Sequence, residues 1–403
     1  MLEYIRAETA TTRGELAELT GLSRSNIAER VGELAALGLV VEAGTARSTG
    51  GRAPVRLRFN HLAGCVAAVD MGTTGVRTAI TDLHGRTLVD DLFECRVSAG
   101  PQASLAAIEK SLESLLESSA VAGIPLTGIG LGFPGPVQFA SGHPTSPASA
   151  PSWDGYPIRE QLARRFEVDA WVDNEANMLA LGELRLGAAR RASDVVVVKF
   201  GTGIGAGLVS GGQLQRGHLG GAGDIAHVSV PGATSARCSC GRASCLTTVA
   251  SGAALGRTAV LLAESGASPT LRELVTAGRT PTVDDLAQAA AGGDLACIRA
   301  IEASASHLGH VLAMLVNVLN PELVLLAGRV MESADLVLPV VRRTIYAEST
   351  PLTTRALRIE RSAPDGHFGI SGAALTVVDK LLEPERLGAW PAARSQTLEA
   401  INH

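Results

Sequence analysis

Three cysteines within eight residues, Cys238, Cys240 and Cys245, follow His227 in the run GHLGGAGDIAHV and then CSCGRASC. Zinc takes sulfur and nitrogen donors, and four protein ligands leave no open position for a water nucleophile. This set would therefore build a structural rather than a catalytic zinc site. The alternative is a group of ordinary buried thiols or a disulfide pair. The other cysteines, Cys65, Cys95 and Cys297, are scattered among apolar or helical residues and read as small core hydrophobes.

A second chemistry resides in two related segments, VAAVDMGTTGVRTAITDLHGRTL and VVVVKFGTGIGAGLVSGGQLQRG. Each is a hydrophobic strand, a Gly-Thr turn, a second strand and a further polar turn, which implies an internal repeat. Glycine permits close backbone approach and threonine can donate, so the two turns suit a phosphate chain held across a cleft. Asp70 stands where a magnesium-coordinating carboxylate would be useful. Taken singly, each motif would also fit a plain hairpin turn.

Positioning these groups requires alternating elements. Residues 104–119 and 285–319 have helical spacing, while LTGIGLGFPGPV and PELVLLAG read as short buried strands, so the expected class is α/β in two lobes. The first sixty residues differ. Thr12 and Glu15 match a capping box that opens a helix with Leu16, Ala17 and Leu19 on one side, and Gly21 breaks it. Ser23 can cap a second helix in which Ile27, Val31 and Leu34 recur at core spacing. Ser25, Asn26 and Glu29, flanked by Arg24 and Arg30, then project from the other face. Two helices joined by so short a turn form a helix-turn-helix. LVVEA and VRLRF, joined by ARSTGGRAP, add a wing; from Gly44 to Asn60 it bears Arg47, Arg52, Arg56 and Arg58 and no acid, against a net charge of -5 for all 403 residues. Such a wing can contact phosphate or enter a minor groove. A dimerisation or protein-docking module is the alternative.

The composition suggests about two or three domains and no global nucleic-acid charge. MLEYIRAE has no apolar signal-peptide core. VLAMLVNVLNPELVLLAG is interrupted by Asn317, Asn320, Pro321 and Glu322 and fails as a membrane span. A cytoplasmic, non-membrane location is expected.

Taken together, LAELTGLSRSNIAERVGELAALGLV, STGGRAP, DMGTT, GTGIGAG, GLGFPGPV, VDNEANMLALGE, the His/Cys run and LNPELVLLAG resemble the transcriptional regulators of the ROK family (repressors, open reading frames and sugar kinases). The resemblance spans essentially the whole chain. It implies a winged helix-turn-helix at 1–60 followed by a two-lobed actin-like, ribonuclease H-like α/β domain. Its lobes would be 61–190 and 191–382, the second with the zinc-binding loop, and 383–403 would form a tail that is either loose or packed on the first lobe. Ligand contacts would fall on Asn174, Glu175, Asp224 and His227. Degenerate phosphate contacts would fall on Asp70, Gly72 and Thr73 and on Gly201, Thr202 and Gly203.

The departures from the family's kinases concern catalysis. The general-base aspartate becomes Glu175, a glutamate becomes Asp224, another becomes Thr247, and a glycine near the adenosine becomes Arg329. A general base must reach its hydroxyl within about 2.6–3.2 Å, and an added methylene disturbs that alignment. Arg329 would either block ATP or point outward. The resulting expectation is a non-enzymatic repressor that binds structural Zn2+ but not Mg2+ and ATP. It would act as a homodimer or dimer of dimers on an inverted-repeat operator and respond to a sugar-class effector. An ATP-dependent sugar kinase with a regulatory head and an inert scaffold are the alternatives.

Overall fold

The structure is a computed structural model and describes residues 1–45, 53–145, 150–230, 237–364, 366–388 and 390. A short helix that the sequence reading did not anticipate, α1 (Leu2–Arg6), opens the chain. Helix α2 (Arg13–Thr20) begins as its capping box dictates: Glu15 N donates to Thr12 Oγ1 at 3.2 Å, and Thr12 N donates to the Glu15 carboxylate at 2.9 Å. It stops at Gly21, whose φ of 69° is left-handed. Leu16 is buried, but Leu19 faces solvent, because an eight-residue helix presents only a narrow inner face. Helix α3 (Arg24–Ala36), capped by Ser23, buries Ile27, Val31 and Leu34. Strands β1 (Val40–Thr45) and β2 (Val55–Phe59) pair antiparallel, and Leu57 N donates to Thr11 O, tying the hairpin to the start of α2. Arg47 and Arg52 lie outside the described residues.

Two five-stranded sheets follow. The first comprises β3 (Cys65–Met71), β4 (Gly75–Asp82), β5 (Thr87–Glu94), β6 (Leu126–Phe133) and β7 (Ala170–Asn174), in the order β5-β4-β3-β6-β7. The second comprises β8 (Val195–Phe200), β9 (Ile204–Ser210), β10 (Gln213–Gln215), β11 (Leu323–Ala327) and β12 (Arg358–Arg361), in the order β10-β9-β8-β11-β12. In each, the first three strands form an antiparallel meander and the last two run parallel to the first strand. The same wiring occurs twice, which is the structural counterpart of the repeat in the sequence. Central strands such as β3 and β11 are apolar almost throughout because both faces are covered.

The helices that matter for the site are α4 (Pro101–Leu116), α5 (Glu175–Arg185), α6 (Gly252–Glu264), α7 (Val283–Ala291), α8 (Leu295–Leu319) and α9 (Phe368–Leu381). The helical spacing over 285–319 resolves into two helices, α7 and α8. Gly293, at φ 91°, breaks the run, and Asp294 caps the second helix. None of the described helices is long and apolar enough to cross a membrane.

Helix α9 crosses α5 at close range and packs on β3 and β6. A Cβ on Gly372 would sit 1.6 Å from Met178 O, so only glycine allows this crossing. One apolar cluster joins Leu2, Ile5, Leu16, Ile27 and Phe59 of the N-terminal segment to Val66, Met178, Ala373 and Val377 of the α/β body. The apolar core of the head is therefore continuous with that of the first sheet. Arg6 Nη1 donates to Asp379 Oδ1 at 2.8 Å across this junction, and Arg185 Nη2 donates to Asp379 Oδ2 at 3.0 Å. Toward the end of the chain, Trp390 is buried in the same cluster and Arg386 pairs with Asp169 at 2.7 Å, so the tail packs on the first sheet at least as far as residue 390. Residues 391–403 lie outside the described set.

Candidate functional site

The C-terminal ends of β3 and β8, the start of α5 and the loop before α6 enclose a cleft of about 620 Å³. The β3–β4 and β8–β9 turns are each closed by a backbone hydrogen bond, Gly72 N donating to Gly75 O at 2.9 Å and Gly201 N to Gly203 O at 3.0 Å, the second turn being one residue shorter. Thr73, Thr202 and Gly203 line the cleft, whereas Asp70, Gly72 and Gly201 do not. Asn174, Glu175, Asp224 and His227 all line it, as does Thr247. The structure thus brings the expected ligand set to one cavity.

The DNEAN segment is a strand-to-helix junction. Asn174 caps α5, accepting from Ala176 N at 2.8 Å, while its Nδ2 donates to Gly135 O at 2.8 Å. Its side chain therefore orders the neighbouring GFPGP loop as well as the helix start. Asp173, fully buried, accepts from Asn177 Nδ2 and from Arg216 Nε at 2.7 Å. Arg216 also lies 3.9 Å above the Phe139 ring, a cation–π placement. Because Arg216 follows β10, this ion pair joins the second sheet to the first.

Glu175 is the first residue of α5, and its Oε2 lies 2.6 Å from Lys199 Nζ. The same ammonium is 3.1 Å from Asp70 Oδ1. Each of the three side chains is about a fifth to a quarter exposed. Burial pushes the Glu175 carboxyl upward and nearby Asp70 adds to that, while Lys199 pulls against it. Burial also opposes the Lys199 charge, but the Asp70 and Glu175 carboxylates outweigh it and hold the lysine above its ordinary range, so the ammonium stays protonated. The sequence reading missed Lys199. The available signal was the repeat: in VDMGT and VKFGT, Asp70 and Lys199 occupy the same position, two residues before the glycine.

On the far wall, the ligand atoms of His227, Cys238 and Cys240 lie within 4.8 Å of one another, and Cys245 Sγ is 3.6 Å from Cys240 Sγ. His227 Nδ1 is 2.8 Å from Asp224 Oδ1. A carboxylate on one ring nitrogen orients the imidazole and leaves Nε2 for a metal. A hydrogen bond from the Arg242 backbone holds the Cys240 thiol down at about 6, and burial pushes Cys245 up to about 12. Cys65 and Cys297 are buried in the core and Cys95 is half-buried.

Arg329, considered as a block to ATP, is about half exposed and paired with Asp284 at 2.9 Å. It does not line the main cleft but, with Asp284, Val283 and Leu255, lines a separate small pocket. On α3, Arg24, Ser25, Asn26, Glu29 and Arg30 are all exposed on the face opposite Ile27 and Val31, and Arg56 and Arg58 are exposed on β2.

A xylose repressor from Caldicellulosiruptor bescii is 28% identical over 388 residues, covering 96% of each chain. A solved ROK family transcriptional regulator, a homologue of the E. coli MLC protein, superposes with a TM-score of 0.80 over 94% of each chain at 24% identity, and so speaks for the fold alone. A ROK family glucokinase from Streptomyces griseus, solved with glucose and AMPPNP, matches with a TM-score of 0.66 at 26% identity, covering 77% of this chain and 98% of its own. The ROK family model matches residues 66–380, and with the α/β body and its cleft built as described, the chain belongs to the ROK family.

Proposed function

We propose that this protein is a sugar-responsive transcriptional repressor whose cleft binds a sugar or sugar derivative without phosphorylating it. The observation that carries this reading is the reach of the likeness to a xylose repressor, which spans the head and the cleft body together. Residues 1–60 would act as a winged helix-turn-helix, with Arg24, Ser25, Asn26, Glu29 and Arg30 toward the major groove and the wing, including Arg47 and Arg52, toward the backbone or minor groove. Residues 61–190 and 191–382 would be the two lobes. Paired heads of a homodimer would read an inverted repeat.

Asn174, Glu175, Asp224 and His227 would contact the ligand. His227, Cys238, Cys240 and Cys245 would hold a structural zinc that orders the loop beside it, and this donor set fits such a metal. Zinc would supply a rigid cross-link there and no reacting group. Closure of the cleft on a ligand would bear on α9, whose Gly369 packs against the Asp70 carboxylate and whose Asp379 grips Arg6 in the head. Ten residues of helix span about 15 Å. Only a difference in ligand affinity between the two head arrangements can drive the change in operator binding.

The kinase reading is favoured by the two Gly-Thr turns, which line the cleft as a phosphate site would. It is opposed by Glu175, whose carboxylate is engaged by Lys199. The experiment is footprinting over neighbouring promoters with and without a panel of pentoses, hexoses and amino sugars, run beside a sugar-dependent ADP-release assay and metal analysis. The expected results are a protected inverted repeat that responds to one sugar class, no ADP release, and one zinc per chain. Robust ADP release would establish the kinase instead.

A further inference from the structure

Asp70 stands two residues before the first phosphate-type turn and Glu175 lines the same cleft as both turns, an arrangement suited to a divalent cation and its nucleotide. Magnesium requires oxygen ligands at about 2.0–2.1 Å in near-octahedral array and keeps several waters. The structure does not fit that requirement. Lys199 Nζ already takes Asp70 Oδ1 at 3.1 Å and Glu175 Oε2 at 2.6 Å, so a fixed positive charge sits where the metal would have to enter. A second cation there would meet like-charge repulsion in a site partly withdrawn from water, where Coulomb terms are stronger than in bulk.

We infer that Lys199 is a tethered internal cation that takes the place of a divalent metal between Asp70 and Glu175, so that the cleft binds its ligand without a metal–nucleotide partner. The placement supports this in three ways. First, Lys199 is the repeat counterpart of Asp70, so two equivalent strand ends, one from each sheet, carry opposite charge. Second, the three groups come from three elements, β3, α5 and β8, so the ammonium bridges the two sheets as a shared metal would. Third, the Asp70 side chain is confined from behind: a Cβ on Gly369 of α9 would lie 2.4 Å from Asp70 Oδ2, so the carboxylate has little room to swing away from Lys199. The exclusion of a divalent cation rests on this ion cluster, whichever sugar the cleft holds and whether or not the head binds DNA.

The test uses full-length, zinc-loaded protein and Mn2+ alone as a paramagnetic probe, with binding read by electron paramagnetic resonance. The unmodified chain is expected to show no Mn2+ site that Asp70→Asn removes. Lys199→Met, of similar length and uncharged, is expected to bind Mn2+ at least tenfold more tightly than the unmodified chain, and adding Asp70→Asn to it should abolish the gain. Lys199→Gln serves as the second variant, expected to give a gain in the same direction while still hydrogen-bonding the acids. An Mn2+ site in the unmodified chain that depends on Asp70 would overturn the inference. So would folded Lys199→Met or Lys199→Gln protein that binds Mn2+ no better than the unmodified chain. Calorimetric sugar binding in the presence of chelated divalent ions separately tests the effector reading, so the two can fail independently.

Discussion

The β3–β4 and β8–β9 hairpins are built on the same plan, yet one ends in an acid and the other in a base. Asp70 and Lys199 sit at matching positions of matching strands, and the two hairpins face the same cleft. Duplication of a supersecondary unit sets equivalent residues opposite each other, so a change in one copy is met by its counterpart in the other. In this chain the result is an ion pair between the two sheets, with Glu175, which lines the cleft, as the third member. The surroundings of the two hairpins differ as well. The first sheet carries α9, the head and the packed tail, whereas the second carries the His/Cys loop. On the proposed function, the first half would carry the contacts to the head, and both halves would contribute to the ligand cleft.

The most disruptive way to break this comparison is to make both hairpins acidic. Lys199→Glu would place three carboxylates together. Removing one partner of a buried pair costs about 3–5 kcal/mol, and because this cluster is partly exposed we expect a loss of about 2–3 kcal/mol in denaturant unfolding. The exchange Asp70→Lys with Lys199→Asp should recover part of the summed loss of the single variants, with a coupling of about 1 kcal/mol or more. Strict additivity would show that the two hairpins do not communicate through charge.

A smaller effect should separate the transmitting half from the other. Asp379→Ala removes the acid shared by Arg6 and Arg185. It should shrink the ligand-induced change in operator affinity by about 1 kcal/mol, near the low end of measured couplings. Arg358→Ala, at an exposed ion pair on β12 of the second sheet, should leave that change intact. Equal effects in titrations of operator binding would erase the proposed asymmetry.

The smallest effect concerns the head alone. Hydrogen bonds from Thr11 and Thr12 hold the Glu15 carboxyl below its ordinary range. A depressed acid contributes stability that is present above its unfolded pKa of about 4.3 and is lost as pH falls through the lower folded value. Glu15→Gln should therefore loosen the Thr11 and Thr12 amides by a few tenths of a kcal/mol at neutral pH, since the group is exposed. In hydrogen exchange the difference should close under acid conditions; a difference that persists there would assign the effect to shape rather than charge.

Much of the molecule was legible in order along the chain. Thr12, Glu15, Gly21 and Ser23 delimit the head helices through bonds that span only a few residues. Ile27, Val31 and Leu34 set the buried face of α3 by period alone. The His227 and Cys238–Cys245 spacing announces its cluster because a hairpin-sized loop can close on itself, and the paired Gly-Thr turns announce the repeat. What only the tertiary structure decided depends on side-chain direction and on contacts between distant segments. Arg329 turns out toward Asp284, Leu19 faces solvent, and the helical spacing over 285–319 is divided at Gly293. Lys199 was read as one residue of an apolar strand, because nothing within its own ten residues could pair with it. Its partners lie 129 and 24 positions away. A charge buried at such a position is stable only where the fold delivers opposite charges to it, and that delivery is a property of the packed sheets rather than of any stretch of sequence.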